Sequence, residues 1–416
     1  MPKPSSERLE LLYRISQTIN SSLDLNTVLD VLIDESIQAT HAERGFLMLY
    51  DADKQLVFKT ARGMDARNME NSELEISRGV VERVAEGGQP LLTSNAQVDE
   101  RLDMRASVKL YGLRSVLCVP ILLRDRILGM VYVDNRLQNG IFSQEDLELL
   151  QSLASSAGIA IENARLYQVA VETGRMQREL QVAREVQANL IPPEMPQLKG
   201  WEFAACWKPA YEVSGDFYDF INLPDGRTGL VVADVSDKGM PAAMFMALSR
   251  SIIRAVTGCS SSPAGDISEA NRLIWQDAAE EMFITLFYVL LEPDSPALTY
   301  VNAGHNPPLL HSHSTAEIRP LSRTGMAAGV EEHIDYQQVS LTLQKGDSLL
   351  IYTDGIIDAA GDSDRYGEER LKEAFQKNAN SSAKQIVAAI EEEVSAFSVN
   401  EVPFDDITLL VIKRTA

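Results

Sequence analysis

The sequence predicts an α+β protein of two or three domains, and three observations carry that prediction. In the N-terminal half, paired β-rich runs, "RGFLMLYDADKQLVFKTARG" and "SVLCVPILLRDRILGMVYVDN", alternate with helical segments. A stretch without proline then reads as helix from Ser143 up to Pro192. Beyond it, apolar strand-like runs carry aspartates at their ends. Hairpins interleaved with helices imply antiparallel sheets with helices packed against them. A chain of 416 residues also exceeds what one core usually holds.

The elements follow in order. "SSERLELLYRISQTI" places Leu9, Leu12, Ile15 and Ile19 at helical spacing behind a serine start, which predicts a helix over residues 1–20. The two hairpins turn at "DADK" and "RDR". Between them "SRGVVERVAEGGQPLLTS" reads as a helix, a Gly-Gly stop and a short strand. Ser143 and Asp146 have the spacing of a capping box, opening a helix that would be about 70 Å long if continuous. Its second half spaces Leu166, Val169, Thr173, Met176, Leu180, Ala183, Gln187 and Leu190 by threes and fours. That is a heptad seam, so residues 166–192 are expected to be a coiled-coil linker in a homodimer. Val182 and Val186 offer a second apolar stripe. "IPPEMP" ends the helix, and a second domain is set at residues 193–416.

Composition excludes several roles. A net charge of −22 disfavours the phosphate backbone of nucleic acids. The N-terminus has no apolar signal region, and the longest apolar run, Met282 to Leu291, is too short to span a bilayer. No membrane partner and a cytoplasmic location are expected. Cys118, Cys206 and Cys259 are scattered and show no Cys-x-x-Cys spacing, which suggests neither a disulfide framework nor a thiolate zinc site. Cys118 lies in an apolar run and should be a buried, inert thiol.

The acidic strand ends point to chemistry. Asp234 closes "GLVVADVSDKG", Asp354 follows "DSLLIYT", Asp405 and Asp406 open "DDITLLVIK", and "VSGDFYDF" holds Asp216 and Asp219. Taken singly, each is an ordinary turn or strand terminator. Together they have no matching set of Lys or Arg beside them, and buried carboxylates need a cation. Oxygen ligands without Cys or His suit two Mn2+ or Mg2+ ions better than zinc, and such a pair hydrolyses phosphate esters. Lys208 and Lys238 flank the acidic motifs and read as solvated counter-charges. His305, in "NAGHNPPLL", reads either as a general acid or as a residue bonded to its own loop.

Two resemblances add to this reading. The segment from "LDLNTVLDVLIDESI" through "VLCVPILLRDRILGMVYVDNR" to "FSQEDLELLQSLASSAGIAIENARLY" resembles a GAF domain, placed at residues 21–165. That likeness implies a sensor of an unknown small ligand, or a dimerisation module. Asn135, Phe142 and Asp146 fall where the cyclic-nucleotide version has its signature, whereas Arg136 and Leu147 depart from it. "VSGDFYDF", "ADVSDKGMPAAMFMA", "YVNAGHNPPLL", "IYTDGIIDAA" and "DDITLLVIK" occur in the order found in SpoIIE-like phosphatases of the PPM type.

The second likeness implies an α-β-β-α sandwich and hydrolysis of phosphoserine or phosphothreonine on a protein, commonly a STAS-type anti-sigma-factor antagonist. It implies that Asp234 bridges two metals, that the Val235 carbonyl ligates one, that Asp354 and Asp405 complete the second, and that Asp216 serves the first. Asp406 should face away from Asp405 on a strand. Asp219 and Asp237 are expected in supporting or loop positions. Ser214, Asp237 and Asp358 depart from the family's usual residues. The alternative is a catalytically silent scaffold that binds a partner protein. A nucleotide cyclase is disfavoured because Phe217 stands where a second acid is needed.

Overall fold

The computed structural model describes residues 6–63, 76–93, 113–136, 141–260, 262–278, 282–292, 295–399 and 404–416. The chain divides into two compact units, Met1–Arg175 and Met176–Ala416.

The first unit opens with helices α1 (Ser6–Ser21) and α2 (Leu25–Thr40). Ile15 and Ile19 of α1 are buried, while Leu9 and Leu12 fall where side chains lie outside the described residues. Asp24 caps α2 by accepting from the amides of Asn26 and Thr27. Next come β1 (Arg44–Tyr50), β2 (Leu56–Arg62), α3 (Arg78–Gly87), β3 (Leu91–Thr93), β4 (Ser115–Leu123) and β5 (Arg126–Asn135). Both expected hairpins form, β1 with β2 and β4 with β5, inside one antiparallel sheet of order β2-β1-β5-β4-β3. Gly88 ends α3 in the left-handed conformation expected of the Gly-Gly stop.

Period-two alternation gives this sheet two faces. Leu47, Leu49, Val131 and Val133 pack with α1, α2 and the first turns of the long helix. Phe46, Met48, Met130, Tyr132 and Cys118 pack with α3 on the other face. Cys118 is fully buried, as its apolar run predicts, and burial pushes its thiol well above its ordinary range. Of the three signature-like residues, Phe142 is buried in the core and Asp146 accepts from the Ser143 amide at 2.9 Å as a helix cap.

Helix α4 (Gln144–Ala188) is continuous over 45 residues, or about 70 Å, and ends four residues before Pro192. Its heptad does not behave as one seam. Leu166, Val169 and Met176 are exposed, Leu180 and Ala183 are half-buried, and Gln187 is buried at 4% exposure. Leu190, past the helix end, packs on the core of the second unit.

The second unit has β6 (Trp201–Lys208), β7 (Phe217–Asn222), β8 (Thr228–Val235), α5 (Met240–Val256), α6 (Pro263–Asp277), β9 (Ile284–Leu291), β10 (Ala297–Ala303), β11 (Leu309–Ser312), β12 (Glu317–Pro320), β13 (Val339–Thr342), β14 (Ser348–Tyr352), α7 (Asp354–Ile357), α8 (Gly367–Asn378), α9 (Ala383–Phe397) and β15 (Ile407–Arg414). They form two five-stranded antiparallel sheets, β13-β10-β9-β8-β7 and β12-β11-β14-β15-β6. The loop through Gly304 carries the chain from β10 in one sheet to β11 in the other.

Alternation on β14 and β15 shows how the layers stack. Leu349, Ile351, Leu410 and Ile412 face the first sheet, within the core that also holds α5 and α6. Leu350, Tyr352, Leu409 and Val411 face outward onto α7, α8 and α9. Runs apolar on both faces are what a sheet needs when helices cover one side and a second sheet the other. The result is an α-β-β-α sandwich.

Candidate active site

Strand pairing gathers the aspartates at one end of the sandwich. In the first sheet Phe217 lies opposite Ala233, which sets Asp216, just before β7, near Asp234 at the end of β8. In the second sheet Tyr352 lies opposite Leu409, which sets Thr353 and Asp354 beside Asp405 and Asp406. The hydroxyl of Thr353 spans the two sheets, donating to Asp216 Oδ2 at 2.7 Å. The Thr408 amide in turn donates to that hydroxyl at 2.9 Å. Sequence reasoning missed Thr353, because a threonine between a strand and an Asp-Gly carries no local signal.

Gly355 accounts for the close approach of the two strand ends. A Cβ there would stand 2.0 Å from the Asp406 carbonyl oxygen. Only glycine lets α7 start against that backbone.

The carboxylates raise one another's proton affinity. Asp216 is 2% exposed, and burial together with the charges of Asp234 and Asp406 pushes its carboxyl far above the usual range. Burial and the charge of Asp354 push Asp234 up to about 7, against a hydrogen bond with Asp216 that works the other way. Asp354 is raised by burial and by Asp405. Burial and like charge both penalise the ionised form, and only a bound cation or proton relieves them.

The neighbouring acids Asp405 and Asp406 differ in what they touch. Asp406 accepts from the Ala210 amide at 2.7 Å and the Gly215 amide at 2.8 Å, so both its oxygens hold the loop that leads to Asp216. Asp405 is paired with the Lys238 ammonium at 2.8 Å. Lys238 is therefore bound to the acidic centre, where the sequence suggests only a solvated counter-charge. Val235 is buried, and its carbonyl lies 3.3 Å from where a Cβ of Gly215 would stand. Among the described residues, no three His, Cys, Asp or Glu side chains are set to grip an ion as they stand. The acids are satisfied by one another, by Thr353, by backbone amides and by Lys238.

The remaining motif residues are structural. Asp219 is 1% exposed and holds Arg250 at 3.0 Å and Arg254 at 2.7 Å, tying β7 to α5. Asp237 has a φ of 76°, a conformation that suits the glycine more usual there, and its side chain accepts from the Lys238 amide. Asp358 pairs with Arg365 at 2.6 Å. His305 is buried, with Nδ1 2.9 Å from the Thr285 hydroxyl and its carbonyl accepting from Arg323. Burial, helped by the Arg323 charge, holds its imidazole down to about 3. Its contacts brace its own loop, the second of the two readings the sequence leaves open.

Gln187 corrects the heptad. Its amide donates to the Ser214 carbonyl at 2.6 Å and accepts from the Ser214 amide at 2.8 Å. A residue expected in a two-helix seam instead clamps the "VSGDF" loop two residues before Asp216. The signal available was its polarity at a position where packing wants an apolar side chain.

Residues 22–162 match the family model of the GAF domain, and residues 224–415 match that of stage II sporulation protein E, SpoIIE. The chain joins a GAF domain to a SpoIIE-type domain. The SpoIIE match takes in Asp234, Asp354 and Asp405 and begins after Asp216. Protein IcfG of Synechocystis is 34% identical over 273 residues, covering 59% of this chain and 43% of its own length. The phosphoserine phosphatase RsbU of Bacillus subtilis is 28% identical over 236 residues, covering 57% of this chain and 70% of its own. The SiaA-PP2C domain of Pseudomonas aeruginosa superposes with a TM-score of 0.53 at 21% identity, over 59% of this chain and all of that one, so the SpoIIE-type unit shares its fold. No helix among the described residues is long and apolar enough to cross a membrane.

Proposed function

We propose that the SpoIIE-type unit is a cytoplasmic, metal-dependent phosphatase acting on phosphoserine or phosphothreonine of a protein, and that the GAF domain regulates it. One observation carries the reading: Asp216, Asp234 and Asp354 converge with Asp405 from both sheets, and burial with the neighbouring negative charges raises the proton affinity of the first three. The donor set suits two hard divalent cations, since all these groups are carboxylate oxygens that repel one another until a charge neutralises them. Asp234 would bridge the ions, with the Val235 carbonyl on one of them. Asp354 and Asp405 would complete the second site, and Asp216 would serve the first. Mn2+ or Mg2+ held there supplies Lewis acidity and a water acidic enough to attack a phosphate ester.

The surrounding residues position these ligands. Thr353 fixes the orientation of Asp216, and Asp406 pins the backbone of the loop before it. A phosphoprotein substrate fits the name of RsbU, a phosphoserine phosphatase, and a STAS-type antagonist is the specific substrate we propose. The three free cysteines suit a reducing compartment. An unidentified small ligand at the GAF domain and a homodimer through the exposed Leu166, Val169 and Met176 of α4 complete the proposal.

The test is hydrolysis of para-nitrophenyl phosphate and of a phosphoserine protein by the full chain with Mn2+, Mg2+ or chelator. Chelator should abolish turnover, and Asp354→Asn should lower it by at least about 100-fold while the fold survives. Activity that persists in chelator, or in Asp354→Asn, would sink the metal-dependent reading.

A further inference from the structure

Lys238 sits in the turn after β8, between Asp237 with φ 76° and Gly239 with φ 75°. That turn aims its side chain across to the segment before β15. The ammonium meets Asp405 Oδ2 at 2.8 Å, donates to the Phe404 carbonyl at 3.1 Å, and lies 4.4 Å from the centroid of the Phe404 ring. Three contacts to two successive residues define a seat for the cation. The other oxygen of Asp405 accepts from the Asp406 amide at 2.9 Å, so both are engaged. Lys238 also lies close enough to Asp354 to ease that carboxylate's ionisation.

The lysine side chain is 40% exposed and that of Asp405 27%. A half-exposed ammonium on a flexible four-carbon stem can turn to water at small cost, whereas a carboxylate fixed on the backbone cannot follow it. A divalent ion brought to Asp405 meets a positive charge already in place. The like charges repel, and both need the same oxygen.

We propose that Lys238 is a tethered competitor at the acidic centre: its ammonium and a divalent cation hold Asp405 in turn, so that the lysine sets how tightly the centre binds metal. This rests on the metal-dependent reading above and deepens it. Lys238 is then a positioning residue that keeps the carboxylates compensated and yields Asp405 when the ion arrives.

The experiment is calorimetric titration of the full chain with Mn2+ at fixed salt, comparing wild type, Lys238→Gln, Lys238→Arg, and both Lys238→Gln and wild-type Lys238 on an Asp405→Asn background. An exposed ion pair is worth up to about 1 kcal/mol, so Lys238→Gln should bind Mn2+ about three- to fivefold tighter. Lys238→Arg keeps the charge and should stay within about twofold of wild type. On the Asp405→Asn background the gain from Lys238→Gln should shrink to less than about twofold, because the contested oxygen has lost its charge and only the screened repulsion between the ammonium and the ion remains. Equal or weaker binding by Lys238→Gln overturns the proposal; weaker binding would mean that the lysine only braces the Phe404–Asp405 backbone. If wild type itself takes up no Mn2+, the phosphatase reading falls as well, which separates the two failures.

Discussion

Asp234→Asn tests the electrostatics of the centre without any substrate. Asp234 is raised from an ordinary 3.8 to about 7 by burial and by Asp354. An acid with a raised folded value contributes stability below its unfolded pKa and loses it as pH rises through the folded one. In chelator the protein should therefore weaken between about pH 4 and pH 7, and the penalty should be complete by pH 8. Three pKa units at about 1.36 kcal/mol each set a ceiling of about 4 kcal/mol. It is a ceiling because Asp216 and Asp234 are hydrogen-bonded and titrate as a pair. The amide in Asp234→Asn carries no charge and escapes the penalty. At roughly 2–4 °C per kcal/mol for a unit of this size, it should melt above wild type at pH 8 in chelator, by up to about 8–16 °C. The gap should close as pH falls towards 4, and saturating Mn2+ should reverse the order by stabilising only wild type. Thermal melts at several pH values, with chelator or Mn2+, measure all of this. A variant that melts no higher than wild type at pH 8, or a gap that ignores pH, would refute the reasoning.

Three other outcomes follow from the geometry. Gln187→Ala leaves the buried amide and carbonyl of Ser214 unpaired, at about 1–3 kcal/mol each; the urea midpoint of the SpoIIE-type unit should fall, and Mn2+ affinity with it, because Ser214 leads into Asp216. Gly355→Ala puts a methyl group 2.0 Å from the Asp406 carbonyl oxygen and should cost at least about 2 kcal/mol by denaturant titration, with loss of turnover. Met176→Asp places a charge on the exposed stripe of α4 and should shift sedimentation from dimer to monomer without changing helix content; a monomeric wild type would end the dimer proposal.

Much of the fold was legible because its signals are local. The polar turns "DADK" and "RDR" marked both hairpins of the first unit, and the capping pair Ser143 and Asp146 marked the start of α4. The acidic ends of strands stood out because a carboxylate beside an apolar run is locally unfavourable. Partner choice was not legible. Asp219 and Asp216 lie three residues apart on the same motif, yet one meets Arg250 and Arg254 of α5 while the other meets Thr353 across the sandwich. Those encounters depend on sheet stacking, which leaves no mark at either residue's position in the chain. The same holds for Lys238, whose partner Asp405 is far along the sequence.

The heptad on α4 shows the deeper limit. Spacing by threes and fours says only that residues share one side of a helix, not what covers that side. Along α4 the cover changes. Leu166, Val169 and Met176 face solvent, whereas Gln187 is buried against the Ser214 backbone and Leu190 enters the sandwich core. A polar residue in an apolar seam has two explanations, a weakened helix pair or a buried hydrogen-bonding partner. Burial decides between them, because an amide shut away from water must find both a donor and an acceptor, and Ser214 supplies one of each. The helix therefore ends as a clamp on the loop before Asp216, and Gln187 and Leu190, engaged within their own chain, drop out of any seam with a second copy.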